Sequence, residues 1–325
     1  MLKLENVSQY FGTEKKPIKA VDKVSLELEA GKVLCLVGES GCGKTTTGKM
    51  AAGILQPTGG RVVFEGKDPW HLTAEEAMKY RLAVQYVHQD PYTSLNPSRT
   101  IGDALSAPLL YHKLCTPANL RTRMIELLEL VDLTPAAEIL DKYPHQLSGG
   151  QRQRVSVARS LTVNPRLLVA DEAVSMVDVS IRASLLNTLA GLGEKLGTTF
   201  LFITHDLAVA RYFAWDGHIA VMYLGQVVEY GRTPDLLGRP THPYTQALLG
   251  ALPEADPKRT RTKERVQLRS PDVPSLLNLP SGCYFHPRCP HYMAGTCDQQ
   301  HPELQSVSDG HQVSCHLATK QGAQR

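Results

Sequence analysis

The run Gly38-Glu39-Ser40-Gly41-Cys42-Gly43-Lys44-Thr45 has the spacing G-x-x-x-x-G-K-[ST]. Such a loop curls its backbone N–H groups around a phosphate chain, and the helix that follows adds its positive end. Lys44 is placed to reach the β- and γ-phosphates of ATP, and the Thr45 hydroxyl to ligate Mg2+. Ser40, Gly41, Gly43 and Thr46 belong to the same cradle, with Cys42 as a small loop residue within it. The apolar run Leu167-Leu168-Val169-Ala170 ends in Asp171-Glu172, two carboxylates at the end of a strand. Asp171 fits a magnesium role, and Glu172 fits a base that orients and deprotonates an attacking water. Gln89 follows the run Val84 to His88, and its amide is suited to magnesium-bound and attacking water. His205 follows Phe200-Leu201-Phe202-Ile203, where an imidazole meets a γ-phosphate. Alone, such a glutamine or histidine reads as an ordinary surface or structural residue; the phosphate loop upstream turns both into candidates for triphosphate hydrolysis.

These groups need strand ends gathered along one sheet edge, and the hydrophobic pattern supplies them. Val24, Leu26 and Leu28 alternate as in a half-buried strand, and Val33 to Val37 reads as a buried one. A helix is predicted over Thr45 to Leu55, ended by Pro57-Thr58-Gly59-Gly60, with strands at Val62 to Phe64 and Ala83 to His88. From about 91 to 161 the pattern is helical, with Met124, Leu127, Leu128 and Val131 on one face, and predicts an inserted helical subdomain. Strands return at Leu167 to Ala170, Thr199 to Ile203 and Ile219 to Tyr223, separated by helices near Val179 to Leu196 and Asp206 to Tyr212, with a last helix near Tyr244 to Leu252. The alternation predicts an α/β fold with a mostly parallel sheet covered by helices.

Leu147-Ser148-Gly149-Gly150-Gln151 stands just before the helical run Arg152 to Leu161. Ser148 and Gln151 have capping-box spacing. The two glycines between them permit close backbone approach, so this helix start also suits an anion.

The chain of 325 residues exceeds the roughly 250 at which a single core stops growing, so one large domain with a smaller appendage is expected. Its 35 basic against 32 acidic residues are too even for a dedicated nucleic-acid binder. Its longest apolar runs are strand-length, short of the ~18 to 20 residues that cross a bilayer, and Met1-Leu2-Lys3-Leu4-Glu5 opens no export signal. A cytosolic location is expected. There a disulfide framework is disfavoured, so Cys283, Cys289, Cys297 and Cys315 point instead to a zinc site, an iron–sulfur cluster or four reduced thiols. His286, His291 and His316 lie nearby as substitute ligands or structural residues. Residues 253–274, with their prolines and the basic run Lys258, Arg259, Arg261, Lys263 and Arg265, read as a linker.

Taken in order, Gly38 to Thr45, Gln89, Leu147 to Gln151, Asp171-Glu172, Ser175 to Asp178 and His205 resemble the motif set of ABC ATPases over roughly residues 1 to 250. The resemblance implies a P-loop ABC ATPase domain over residues 1–252, with its helical subdomain at about 91–161. It implies a second ABC ATPase subunit packed head to tail, so that Ser148, Gly149, Gly150 and Gln151 complete the ATP site of the opposing subunit. It also places Phe11 against adenine and Asp178 in the D-loop. The family commonly has Pro-Thr after the base and Ala-Leu before the D-loop aspartate. Ala173-Val174 and Met176-Val177 stand there instead, and point to altered communication across a heterodimer with unequal sites.

His242-Pro243-Tyr244-Thr245, Leu248-Leu249 and Gly282-Cys283-Tyr284-Phe285-His286-Pro287-Arg288-Cys289-Pro290 resemble the tail of dipeptide and oligopeptide importer ATPases. That branch implies uptake of peptides, or of nickel or oligosaccharides. It also implies two transmembrane permease subunits, an extracytoplasmic substrate-binding protein, no nucleic acid, and a peripheral place on the cytoplasmic face of the membrane. For the cysteine tail, residues 275–325, it favours a [4Fe-4S] cluster over Zn2+. The rival class is a soluble ABC ATPase acting on nucleic acid or ribosomes; such proteins commonly carry two ATPase domains or a long coiled-coil insertion, and this chain shows neither.

Overall fold

A computed structural model describes residues 1–13, 16–175, 177–252 and 266–318. Met176 and the basic run from Lys258 to Arg265 lie outside the described residues. In chain order the elements begin with β1 (Leu2–Thr13), β2 (Lys16–Leu28), β3 (Val33–Val37), α1 (Lys44–Ala51), β4 (Gly59–Phe64), α2 (Ala74–Ala83) and β5 (Val84–Val87). Five helices follow, α3 (Pro91–Ser94), α4 (Ile101–Tyr111), α5 (Leu120–Leu130), α6 (Ala136–Leu140) and α7 (Gly149–Leu161), with a 3-10 turn at Pro144–Gln146. Then come β6 (Leu167–Asp171), α8 (Val179–Leu196), β7 (Thr199–Thr204), α9 (Leu207–Phe213), β8 (His218–Tyr223), β9 (Gln226–Arg232), α10 (Thr233–Gly238) and α11 (Pro243–Ala251). The last elements are β10 (Gln305–Ser308) and β11 (His311–Val313).

The main sheet has the order β10-β11-β9-β8-β3-β7-β6-β5. From β5 to β8 neighbouring strands are parallel, while β8, β9, β11 and β10 pair antiparallel. The parallel strands β6 and β7 are buried along their whole length, which is why they read as continuous apolar runs rather than alternating ones. Alternate residues face two cores. Cys35, Val37, Leu168 and Ala170 join Ile101, Leu105, Leu127, Leu128 and Val155 from the helices. Leu34, Leu36, Leu167 and Val169 face Met50 of α1 and the apolar side of β1, β2 and β4.

The order β2-β1-β4 forms a separate antiparallel sheet that the alternation pattern did not announce. β1 slips register beyond Leu4 and again beyond Val7, with Asn6 at φ +49°, so its period-two signal breaks midway. β2 begins at Lys16, well before the expected Val24. α1 ends at Ala51, not Leu55, and α2, capped by a reciprocal Thr73–Glu76 box, was not anticipated.

The C-terminal segment joins the main sheet. β11 pairs with β9 through Gln312↔Tyr230 and Val313↔Glu229. Phe285 is buried against the rings of Tyr223 (5.3 Å) and Tyr244 (5.4 Å). Glu229, fully buried, accepts from the backbone N–H groups of Thr241 (2.7 Å) and His242 (3.1 Å) and lies 2.8 Å from His311 Nε2, so its charge does not go unpaired.

Candidate active site

The loop between β3 and α1 opens into a cleft of about 740 Å³ lined by Ser40, Gly41, Gly43, Lys44, Thr45, Thr46, Gln89, Glu172 and His205, with Phe11 on its rim. Glycine is required where the loop turns into α1: Gly43 has φ +105°, and a Cβ there would sit 2.4 Å from the Ala20 carbonyl oxygen. At Gly38 the loop leaves β3 so close to β8 that a Cβ would fall 2.2 Å from the Met222 carbonyl oxygen. Lys44 is buried, and its Nζ donates to the carbonyls of Gly38 (2.8 Å) and Glu39 (2.9 Å). Cys42 does not line the cleft; its sulfur lies 3.8 Å from Lys44 Nζ, and burial pushes its thiol pKa up.

The parallel register brings the remaining groups to this edge. Asp171 ends β6, beside β7 and its neighbour β3, and its Oδ1 accepts from the Thr45 hydroxyl at 3.1 Å while Oδ2 accepts from Tyr86 at 2.7 Å. Burial raises the Asp171 pKa, against the lowering effect of those two hydrogen bonds. Magnesium takes one or two protein oxygens and fills its shell with water and phosphate oxygens. The Thr45 hydroxyl and the Asp171 carboxylate fit that requirement.

Glu172 takes φ +46°, a left-handed conformation that a non-glycine residue holds only when its surroundings enforce it. Its N–H is held by the Ile203 carbonyl at 2.9 Å, and its carbonyl by Ser175 N–H (3.0 Å) and Oγ (2.8 Å). This turn aims the side chain between two partners: Gln89 Nε2 donates to Oε2 at 2.9 Å, and His205 Nδ1 lies 3.2 Å from Oε1. Three candidates from three strand ends thus meet at one carboxylate.

Sequence reasoning missed five further lining residues, Ile18, Ala20, Glu39, Leu248 and Leu276, although Glu39 stands inside the phosphate-loop run. Ile18 and Ala20 belong to the part of β2 hidden by Lys16, Pro17 and Lys19. The apolar positions of α11 bring Leu248 to the cleft, whereas nothing local marks Leu276.

Ser148 caps α7, accepting from Gln151 N–H at 3.2 Å while Gln151 Oε1 accepts from Ser148 N–H at 3.0 Å, the reciprocal box its spacing predicts. Ser148, Gly149, Gly150 and Gln151 are not among the residues lining the cleft of this chain.

Two family profiles match: ABC transporter over residues 21–175, and oligopeptide/dipeptide transporter, C-terminal region, over residues 228–297. The oligopeptide transport ATP-binding protein AppF of Bacillus subtilis is 41% identical over 325 residues, covering 98% of this chain and 97% of its own. A Brucella ovis relative named for peptide import is 42% identical over 315 residues, 97% of each chain. The chain belongs to the ATP-binding subunits of the dipeptide and oligopeptide ABC transporter family. Among solved structures, the dimeric ATP-binding cassette MJ0796 in a post-hydrolysis state, bound to ADP and Pi, matches this ABC subunit with a TM-score of 0.65 at 29% identity, covering 72% of this chain and 99% of that one. The cbiO1 subunit of Clostridium perfringens, part of the cbiONQ transporter complex, matches at 0.64 and 26% identity, over 73% and 90% of the two chains.

None of the tail cysteines of this ABC subunit is in a disulfide. Burial, and then the neighbouring cysteines, push Cys283 up to about 12; burial pushes Cys289 up to about 11. Among the described residues no group of three or more His, Cys, Asp or Glu is arranged to hold a metal ion, so the thiols as placed do not fit one. His286 Nδ1 is taken by the Cys283 carbonyl at 2.9 Å and His316 Nε2 by the Gln300 carbonyl at 2.9 Å, while His291 faces a separate hollow beside Pro240. Among the described residues no helix is long and apolar enough to cross a membrane.

Proposed function

We propose that this chain is the ATP-hydrolysing subunit that energises an ABC importer of dipeptides or oligopeptides, and that Glu172 is its general base. The observation that carries this is the Glu172 carboxylate, held on both oxygens by Gln89 and His205 next to the Thr45–Asp171 pair. Lys44 exchanges the carbonyls of Gly38 and Glu39 for the β- and γ-phosphates, and the backbone N–H groups from Ser40 to Thr46 cradle the phosphate chain. Phe11 stacks on adenine. Thr45 and Asp171 would hold magnesium, with Gln89 on its water shell; bound there, the ion would supply charge neutralisation for phosphoryl transfer. Glu172 takes a proton from the attacking water as the bond to the leaving ADP oxygen breaks, and His205 donates to the γ-phosphate and keeps Glu172 in place.

The assembly in this proposal has a related ABC ATPase as partner, whose site receives Ser148, Gly149, Gly150 and Gln151 of this chain. Two permease subunits and an extracytoplasmic binding protein complete it at the cytoplasmic face of the membrane. Residues 1–252 form the nucleotide-binding domain, with 91–161 as its helical subdomain and 275–325 as its tail. The finer reading of the tail, a [4Fe-4S] centre on Cys283, Cys289, Cys297 and Cys315, is supported by family resemblance alone and requires the four thiols to close in from where they stand. Iron and acid-labile sulfide in anaerobically prepared protein test it; four titratable thiols without iron overturn it.

Glu172→Gln should lower ATP turnover by roughly a hundred- to ten-thousand-fold while ATP binding persists. Turnover near the wild-type rate would remove Glu172 from the mechanism. Purification of the tagged chain from its own membranes should bring two permease subunits and a second ATPase with it; recovery with ribosomes instead would overturn the importer assignment.

A further inference from the structure

One side of the cleft is built from a part of the chain that none of the nucleotide motifs includes. Leu276 lines the cleft, and further along the same segment Arg288, only 5% exposed, reaches the phosphate loop. Its Nη1 donates to Glu39 Oε2 at 2.8 Å and its Nη2 to Oε1 at 3.0 Å, a two-pronged pair in which the planar guanidinium matches the carboxylate. The guanidinium is fixed from other sides by the rings of Tyr223 and Phe285, each 5.8 Å away, and by the Tyr223 hydroxyl at 3.5 Å. Glu39 belongs to the loop itself: it lines the cleft, its N–H donates to the Tyr244 hydroxyl at 2.9 Å, and its carbonyl holds Lys44 Nζ.

A carboxylate inside a loop that binds a triphosphate is an electrostatic liability. In a partly desolvated cleft, neighbouring like charges repel more strongly than in water unless neutralised. Arg288 supplies that neutralisation and is at the same time the anchor by which the tail grips the loop.

We infer that Arg288 is a positioning residue of the nucleotide site: by pairing with Glu39 it cancels the one negative charge of the phosphate loop and fixes the loop's first turn, which makes ATP affinity depend on the docked tail. This rests on the assignment of the cleft to ATP. Two arms separate charge cancellation from simple packing. Neutralising Glu39 removes the repulsion without restoring any lost contact, and lysine at 288 keeps the charge but loses the fork.

The test is calorimetric titration of the full-length chain with the non-hydrolysable imido analogue of ATP and magnesium. Arg288→Met should weaken binding roughly tenfold, the worth of one charge-assisted pair. Arg288→Met/Glu39→Gln should recover most of that loss, and Arg288→Lys should lose less than Arg288→Met. Turnover at saturating ATP should stay near the wild-type rate, so that the loss lies in KM. Unchanged affinity in Arg288→Met overturns the inference, as does a double variant as weak as the single. If Arg288→Met fails to fold, the comparison of the polar, neutral Arg288→Gln with Arg288→Gln/Glu39→Gln decides in the same way. Failure of the wild-type chain to bind the analogue would instead overturn the ATP site itself.

Discussion

Asp171 is held where a carboxylate is not comfortable. Burial raises its pKa above the ordinary value of 3.8, and the hydrogen bonds from Tyr86 and Thr45 offset this only in part. A raised folded-state value means that the folded chain binds this proton more tightly than the unfolded chain. The stability Asp171 contributes is therefore present below pH 3.8 and is lost as pH rises through its folded value. At neutral pH the ionised group weakens the fold in exchange for the magnesium ligand proposed above. Asp171→Asn should accordingly raise the melting temperature at neutral pH by about 2 °C, with the gain vanishing toward pH 4, and cut magnesium-dependent hydrolysis by about two orders of magnitude. Thermal scans across pH, run beside turnover assays, check both; a variant that melts below wild type at pH 7 contradicts this account.

At the scale of elements, legibility followed locality. The phosphate loop, the Asp171-Glu172 strand end and the Ser148 cap were legible because each is a contiguous run whose backbone demands are local. β1 was not, since bulges interrupt its alternation, and the start of β2 was masked by Lys16, Pro17 and Lys19. The link from Arg288 to Glu39 spans 249 positions and leaves no local trace. The start of α11 is a further case: His242 reads as one residue of a family motif, yet it is fully buried and its Nδ1 accepts from Tyr244 N–H at 3.0 Å, which requires the neutral ring. Burial lowers its pKa to about 4. With a depressed value, its stabilising contribution is present above the ordinary 6.5 and is lost as pH falls toward 4, about 3 kcal/mol in all. His242→Asn keeps a capping acceptor that cannot titrate. Denaturant midpoints followed from pH 7 to pH 4 should fall less steeply in this variant than in wild type; parallel slopes would assign the acid sensitivity elsewhere.

Over the whole molecule, and among the described residues, the tail is integrated with the ATPase core through contacts of several kinds, among them the β11–β9 pairing, the Arg288–Glu39 ion pair, the His311–Glu229 contact and the ring cluster around Phe285. Phe285 touches Tyr223, Tyr244 and His242, so truncating it removes the apolar contact that seats the segment. Phe285→Ala should cost about 3–5 kcal/mol and make residues 266–318 the first site of limited proteolysis. Wild-type cleavage kinetics would show that the strand pairing and the ion pair hold the tail without it.

The position of β10 at the end of the sheet has a colloidal consequence. All four of its residues are exposed, and it is short and polar, whereas β9 two places inward carries the buried Val227 and Val228. The last strands of the tail thus act as a hydrophilic selvedge that hides a longer, stickier strand margin from other copies of the chain. A chain cut after Leu252 should be lost by concentration-dependent self-association through β9, which light scattering across a dilution series should detect.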